Sequence, residues 1–254
     1  MNRLHIAVAG GTGWIGRMVV TAAGNAGHDT VVLARSTGVD LVSGQGVAEA
    51  LRGADVVIDV ANLNSNSAAK VTSFFETTTR NLLAAEAEAG VGHHVVLSIV
   101  AVDRVDVGYY VAKRRQEEIA LAGPIPVSIL RATQFFEFAV QMTGHAVGPF
   151  VPAPRLISRP VAAREVAAEL VRIAAGPPLG ENIEQIAGPE ELRIDKLVRD
   201  AIRTRGLRRI AVPIRFPGKA GREQANGGLL PRGEVLVGRT RYAEWLSSAD
   251  GRAS

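Results

Sequence analysis

Along the first half of the chain, short apolar runs with β propensity alternate with segments whose apolar residues recur at helical spacing. Residues 5–9 are such a run, and Ile15, Met18, Val19, Ala22 and Ala23 after it keep one helix face. A second strand is expected over 29–36, a short third over 39–42 with a short helix at 47–52, and a fourth over 55–60. A long helix follows at 67–89, with Phe74, Phe75, Thr78, Leu82, Leu83 and Ala85 at near-helical spacing and Gly90 and Gly92 ending it. A fifth strand (95–100), a helix (108–121) stopped by Gly123 and Pro124, and a sixth strand (126–131) complete the series. Strand–helix alternation of this kind predicts a parallel sheet covered on both faces.

Beyond Arg131 the pattern changes. Helices are expected at 135–144, 163–175 and 191–204, a short strand at 182–187, and a final amphipathic turn at 241–246. Prolines 149, 152, 154 and 160 interrupt the chain between them, and 210–236 is rich in Gly and Pro. The expected fold is α/β: a Rossmann-type doubly wound parallel sheet with a small C-terminal substrate lobe. The core is placed at residues 1–132 and the lobe at 133–254, with part of the latter free to return to the core.

The junction of first strand and first helix carries the clearest chemistry. It reads Gly10-Gly11-Thr12-Gly13-Trp14-Ile15-Gly16. A helix N-terminus offers unpaired N–H groups and a partial positive charge. Gly10 suits the tight turn, Gly13 lets backbone approach a pyrophosphate, and Gly16 lets the helix pack on the sheet. The second strand ends in Arg35 and Ser36, not in the acid that binds the ribose 2′-OH of NAD. A cation and a hydroxyl there favour NADP, with NAD the less favoured cofactor.

Tyr109 and Lys113 lie four apart in the expected helix and share a face, and Ser98 lies near the end of the preceding strand. Serine, tyrosine and lysine so placed form a proton-transfer set. A tyrosine with an ordinary pKa near 10 needs a fall of ~3 units to work as acid or base near neutrality, and a neighbouring ammonium together with a positive nicotinamide can supply it. Ser98 would orient the substrate oxygen, and Lys113 would also hold the nicotinamide ribose. Tyr110, three residues from Lys113, is the competing tyrosine.

Composition narrows the alternatives. The chain has 254 residues, 47% of them hydrophobic, and no cysteine, which removes disulfides, thiolate metal sites and cysteine nucleophiles. Net charge is +4; the arginine-rich stretch at 199–209 has no interleaved aromatics and reads as a solvated helix end, not a nucleic-acid surface. No metal site, membrane contact or leader is expected, so the protein is expected to be cytoplasmic, a monomer or homodimer. Adjacent His93 and His94 point to opposite faces of a strand and read as structural, and Asn81 reads as a packing residue. Four of seven phenylalanines fall between 135 and 150. Core and pocket are equal readings for them, with Phe135, Phe136 and Gln134 the candidates for contact with an apolar or aromatic small molecule.

These segments together resemble the short-chain dehydrogenase/reductase superfamily, and within it the atypical NmrA-like, NAD(P)H-binding group. The resemblance covers nearly the whole chain. It rests on the glycine segment 10–16, on Ser98 with Tyr109-Tyr110-Val111-Ala112-Lys113, on Leu130-Arg131-Ala132-Thr133-Gln134-Phe135-Phe136, and on residues 160–167. It implies Arg35 and Ser36 near the adenosine phosphate, Asp40 and Leu41 near the adenine, and Ala61 and Asn62 beside the cofactor. Ala132 stands where extended relatives often have proline. The expected activity is hydride transfer between NADPH and a carbonyl, quinone or related acceptor, with Tyr109 as proton donor. The alternatives are a non-catalytic NADP-binding sensor and, on the same fold, a sugar-nucleotide epimerase or dehydratase.

Overall fold

A computed structural model describes residues 3–253. In chain order the first half contains β1 (His5–Ala9), α1 (Trp14–Asn25), β2 (Asp29–Leu33), α2 (Val47–Ala50), β3 (Val56–Asp59), α3 (Ala68–Ala89), β4 (His93–Ile99), α4 (Gly108–Leu121) and β5 (Val127–Ala132). The second half contains α5 (Phe136–Thr143), β6 (Phe150–Pro154), β7 (Ile157–Ser158), α6 (Ala163–Ala174), β8 (Ile183–Ala187), β9 (Leu192–Arg193) and α7 (Ile194–Thr204). Then come β10 (Ile210–Ile214), α8 (Gly218–Ala225), β11 (Leu236–Val237), α9 (Tyr242–Ser247) and α10 (Ala249–Ala253). The chain divides into two units. One holds residues up to Ser98, Val107–Arg131 and Arg164–Glu184; the other holds Ile99–Asp106, Ala132–Ala163 and everything from Gln185 on. The expected cut at 132/133 is thus crossed in both directions.

The first unit is built on a sheet with strands in the order β5-β4-β3-β1-β2, and β8 follows β5 in that order. β1 pairs in parallel with β2 and β3 (Ile6↔Thr30, Ile6↔Val56), and β3 pairs in parallel with β4 (Val56↔His93). Ile6, Ala7, Val8 and Ala9 are all fully buried, which is why this strand reads as a continuous apolar run and not as an alternation. Ser67 caps α3 by accepting the Lys70 amide, and Gly90 ends that helix in the left-handed conformation that glycine adopts most easily.

The expected third strand at 39–42 is absent. Val39 and Leu41 are buried in one cluster with Leu33, Val47, Leu51, Val57 and Leu82, which gives the alternation its strand-like look. Their backbone, however, closes on itself: the Asp40 amide donates to Gln45 O and the Gly44 amide to Asp40 O. Asn81 of α3 donates through Nδ2 to both Leu41 O and Val42 O, so side chain and turn replace a sheet partner.

In the second unit β6 and β10 pair in parallel, β7 and β9 antiparallel, and β11 lies parallel to β8 (Leu236↔Ile186). Its centre is aromatic: the Phe136 ring lies 5.3 Å from Tyr242 and 5.6 Å from Trp245 between centroids. Among the described residues no helix is long and apolar enough to cross a membrane.

Candidate active site

β1 delivers the chain into the glycine loop. Gly10 has φ +79°, and a Cβ on it would fall 2.8 Å from Ala61 Cα, so the loop closes directly on the chain leaving β3. A Cβ on Gly16 would fall 2.1 Å from Gly10 O, and one on Gly13 3.0 Å from the same oxygen. The Gly13 amide donates to Gly10 O, which tightens the loop, and Gly13 then serves as the N-cap of α1 without a side chain to fill that end. No acid stands in the first turn of α1. A helix N-terminus without an acid, behind a loop closed at Gly10, Gly13 and Gly16, has the character that a dinucleotide pyrophosphate requires; Thr12, Trp14 and Ile15 lie in the same segment.

Arg17, one turn into α1, donates to Thr12 O at 2.7 Å and brings a cation to the loop. At the end of β2, Arg35 and Ser36 are exposed at the start of a short 3₁₀ turn. Thr37 closes that turn through its hydroxyl to Val32 O and Ala34 O. The Arg35 guanidinium has no hydrogen bond or ion pair among the described residues. Asp40 accepts the Val42 amide at 2.8 Å, so one of its oxygens is engaged in its own turn, and Leu41 is buried.

The expected proton-transfer residues all belong to this unit. Tyr109 is 38% exposed, whereas Tyr110 is buried at 8%, so the first is the tyrosine that a ligand could reach. The Tyr109 hydroxyl donates to Asn62 Oδ1 at 3.0 Å, and its ring stands edge-on to Phe75. Ser98 is buried, with no hydrogen-bond partner for its Oγ.

Lys113 departs from expectation. Its ammonium donates to Leu97 O at 2.6 Å and to Gln116 Oε1 at 2.5 Å, and lies 4.6 Å from the Phe75 ring centroid. Burial lowers its pKa to about 8 against the opposing pull of Asp59 and Glu117. Burial raises the Tyr109 hydroxyl to about 12, away from neutrality, and no neighbouring charge counters it. The expected fall in the tyrosine pKa is therefore absent from the protein alone.

No family model matches the chain. A (4-alkanoyl-5-oxo-2,5-dihydrofuran-3-yl)methyl phosphate reductase of Streptomyces griseus is 26% identical, over 94% of this chain and 96% of that one. Among solved structures, MoeE5 in complex with UDP-glucuronic acid and NAD has a TM-score of 0.76 at 19% identity, covering 98% of each chain. A short-chain dehydrogenase/reductase superfamily protein from Agrobacterium tumefaciens with bound NAD has a TM-score of 0.69 at 19% identity, covering 98% of this chain and 97% of that chain. The fold is thus similar to that of a short-chain dehydrogenase/reductase superfamily protein.

Of the three substrate candidates, Phe136 takes the core reading and Gln134 is engaged within the chain. Phe136 is 1% exposed and packs on Tyr242 and Trp245, so it is a core residue; the rings that cover it come from far downstream. Gln134 accepts the Ser158 hydroxyl, and its carbonyl accepts the Val161 amide at 2.9 Å. Phe135 is half-buried and bridges to Val161.

His93 and His94 are structural, as expected: His93 Nε2 meets Ser128 Oγ at 2.7 Å and His94 Nδ1 meets Glu86 Oε1 at 2.8 Å. Sequence reasoning missed Arg17, Asp59 and Gln116. For Asp59 a signal existed, since a lone acid inside the apolar run Val56-Val57-Ile58-Asp59-Val60 needs buried partners.

Proposed function

We propose that this chain is an NAD(P)-dependent oxidoreductase of the NmrA-like kind that takes NADP in preference to NAD. It would reduce a carbonyl, quinone or related small apolar acceptor. The observation that carries the reading is the placement of Tyr109: the ring is partly exposed and its hydroxyl rests on Asn62, next to the Ala61 backbone that closes on the glycine cradle. The reductase relative and the NAD-bound structures of like fold support a nicotinamide dinucleotide. The open Arg35 beside Ser36 supports the extra phosphate of NADP.

A bound reduced nicotinamide supplies the hydride. The protein's part is to hold and to protonate. Gly10, Gly13 and the α1 N-terminus would receive the pyrophosphate, and Arg35 and Ser36 the 2′-phosphate. Ser98 Oγ would donate to the acceptor oxygen. Tyr109 would exchange Asn62 for that oxygen and give it the phenolic proton as the new C–H bond forms at carbon. Its raised pKa keeps it protonated across the physiological range, the form that reduction requires. Lys113 would have to leave Gln116 or Leu97 O to recharge it.

That engagement of Lys113 favours a second reading: a dinucleotide sensor with no turnover. The two separate in one experiment. NADPH oxidation is followed against a panel of quinones and ketones for wild type and Tyr109→Phe, alongside a cofactor titration. The reductase reading expects turnover that falls about 100-fold or more in Tyr109→Phe while NADPH binding is kept. Tight binding without turnover on any acceptor leaves the sensor, and equal turnover removes Tyr109 from the chemistry.

A further inference from the structure

A buried polar chain runs beneath the proposed site. Gln116 is fully buried on α4, one turn beyond Lys113. Its Oε1 accepts the Lys113 ammonium at 2.5 Å, and its Nε2 donates to Asp59 Oδ2 at 2.8 Å. The other carboxylate oxygen, Asp59 Oδ1, accepts the Ala61 amide at 2.9 Å. Asp59 is itself fully buried at the end of β3. Only one orientation of the amide satisfies both neighbours, because the ammonium has no acceptor and the carboxylate no donor. Beyond Ala61 stands Asn62, which holds the Tyr109 hydroxyl. The bridge thus ties the lysine of α4 to the segment after β3 that accepts the tyrosine hydroxyl.

We infer that Gln116 is a positioning residue for this site: it fixes Lys113 and, through Asp59, the Ala61–Asn62 segment that closes on the glycine cradle and accepts the Tyr109 hydroxyl. This rests on the oxidoreductase reading for its use, but not for its geometry. A residue needed only for packing would be apolar here, since burying an amide between two charged groups has a cost that methionine or leucine avoids. The bridge also explains how an acid is tolerated in a strand that is otherwise wholly apolar.

Several groups face this cluster and belong in any pH experiment. Asp59 comes from β3 and Glu117 from α4 itself, the latter held by Arg131 of β5 through two hydrogen bonds of 2.9 and 2.6 Å. His94 of β4 feels both Glu86 and Asp59, and α3 presents the Phe75 ring to the ammonium.

The test begins without cofactor. Lysines are few (Lys70, Lys113, Lys196 and Lys219), so protein carrying ¹³Cε-lysine gives resolvable signals, with Lys113→Arg assigning the one of interest. Wild type is titrated beside Gln116→Met and Gln116→Glu. Losing the acceptor in Gln116→Met should lower the Lys113 midpoint by about half a unit or more, and a carboxylate in Gln116→Glu should raise it. With NADPH and a benzoquinone, kcat in Gln116→Met should fall about 10-fold with little change in KM for NADPH. Gln116→Glu should recover kcat toward low pH, where a protonated carboxyl can donate to Asp59 as the amide does, and lose it as pH rises. Identical Lys113 titration in all three folded proteins overturns the bridge. Should Gln116→Met fail to fold, Gln116→Glu decides by the same signal. Absence of turnover in every protein overturns the oxidoreductase reading alone, and the lysine titration still judges the bridge.

Discussion

Tyr109 and Tyr242 each stand in the first turn of a helix, and burial raises the pKa of both hydroxyls, yet the two units use them differently. Tyr242 is 4% exposed, stacks on Trp245 at an interplanar angle of 24°, and donates to the backbone carbonyl of Leu197 at 2.9 Å. Its partner is fixed in α7 and cannot be exchanged. Tyr109 is partly open, and its partner is a side-chain amide that can rotate away. The same contrast holds for neighbouring residues: Phe136 ends on rings, whereas Lys113 ends on Gln116. Function is better sought where polar side chains end on other side chains than where aromatic residues are most numerous.

The strongest attempt to break this contrast is Trp245→Ala. Removing a fully buried tryptophan from the Phe136–Tyr242 cluster should cost about 3–5 kcal/mol in urea unfolding. The folded variant should bind NADPH as wild type does. Tyr109→Phe should cost about 1 kcal/mol or less by the same measure, because it removes one hydrogen bond at a partly open site. Equal losses from the two substitutions would erase the distinction drawn between the clusters.

A smaller effect is expected from a second pair of like residues, within one unit. His93 and His94 are consecutive on β4 and face opposite ways. For His94, burial alone lowers the pKa, but the Glu86 carboxylate at 2.8 Å and the charge of Asp59 together outweigh it and the net shift is upward. A raised base contributes stability that is fully present below the unfolded value near 6.5 and is lost as pH rises through the folded value. For His93, burial lowers the pKa to about 4, with the nearby His94 adding to the fall. A lowered base has the opposite sign: stability is lost as pH falls from about 6.5 to 4, because the unfolded chain takes up the proton first. His93→Asn should flatten that acid limb by on the order of 2 kcal/mol in urea midpoints converted to free energy. A limb unchanged in His93→Asn would place its origin in other groups.

The sequence made the first unit legible where one local rule decided the structure. A strand buried on both faces followed by spaced glycines has few other outcomes, and strand, glycine loop and helix stand as expected. It misled at 39–42, where Val39 and Leu41 are buried by a turn whose carbonyls are taken up by Asn81, a residue on a distant helix. It left Phe136 undecided because core and pocket demand the same side chain, and Tyr242 and Trp245 carry no local mark that they will cover it. The surroundings of Lys113 were hidden from the sequence for a related reason. Helical spacing puts both on one face, but spacing cannot show that Gln116 and Leu97 O hold the ammonium.

The finest test concerns the exposed end of β2. Arg35 is open and has no side-chain partner among the described residues, and no carboxylate stands at this strand end to repel a phosphate. A charge-assisted contact is worth about 1.5–3 kcal/mol, so Arg35→Ala should weaken NADPH by roughly 10- to 100-fold. NADH, which lacks the 2′-phosphate, should bind as before. Stability should not change, since nothing in the fold rests on this guanidinium. Parallel titrations with both cofactors separate the possibilities. Equal weakening of both would show that Arg35 acts on the shared part of the dinucleotide, and the preference for NADP would then fall. Arg17, whose guanidinium meets Thr12 O at the loop, supplies the internal comparison. A cation at the pyrophosphate end should affect both cofactors alike, so Arg17→Ala and Arg35→Ala should differ in selectivity more than in size.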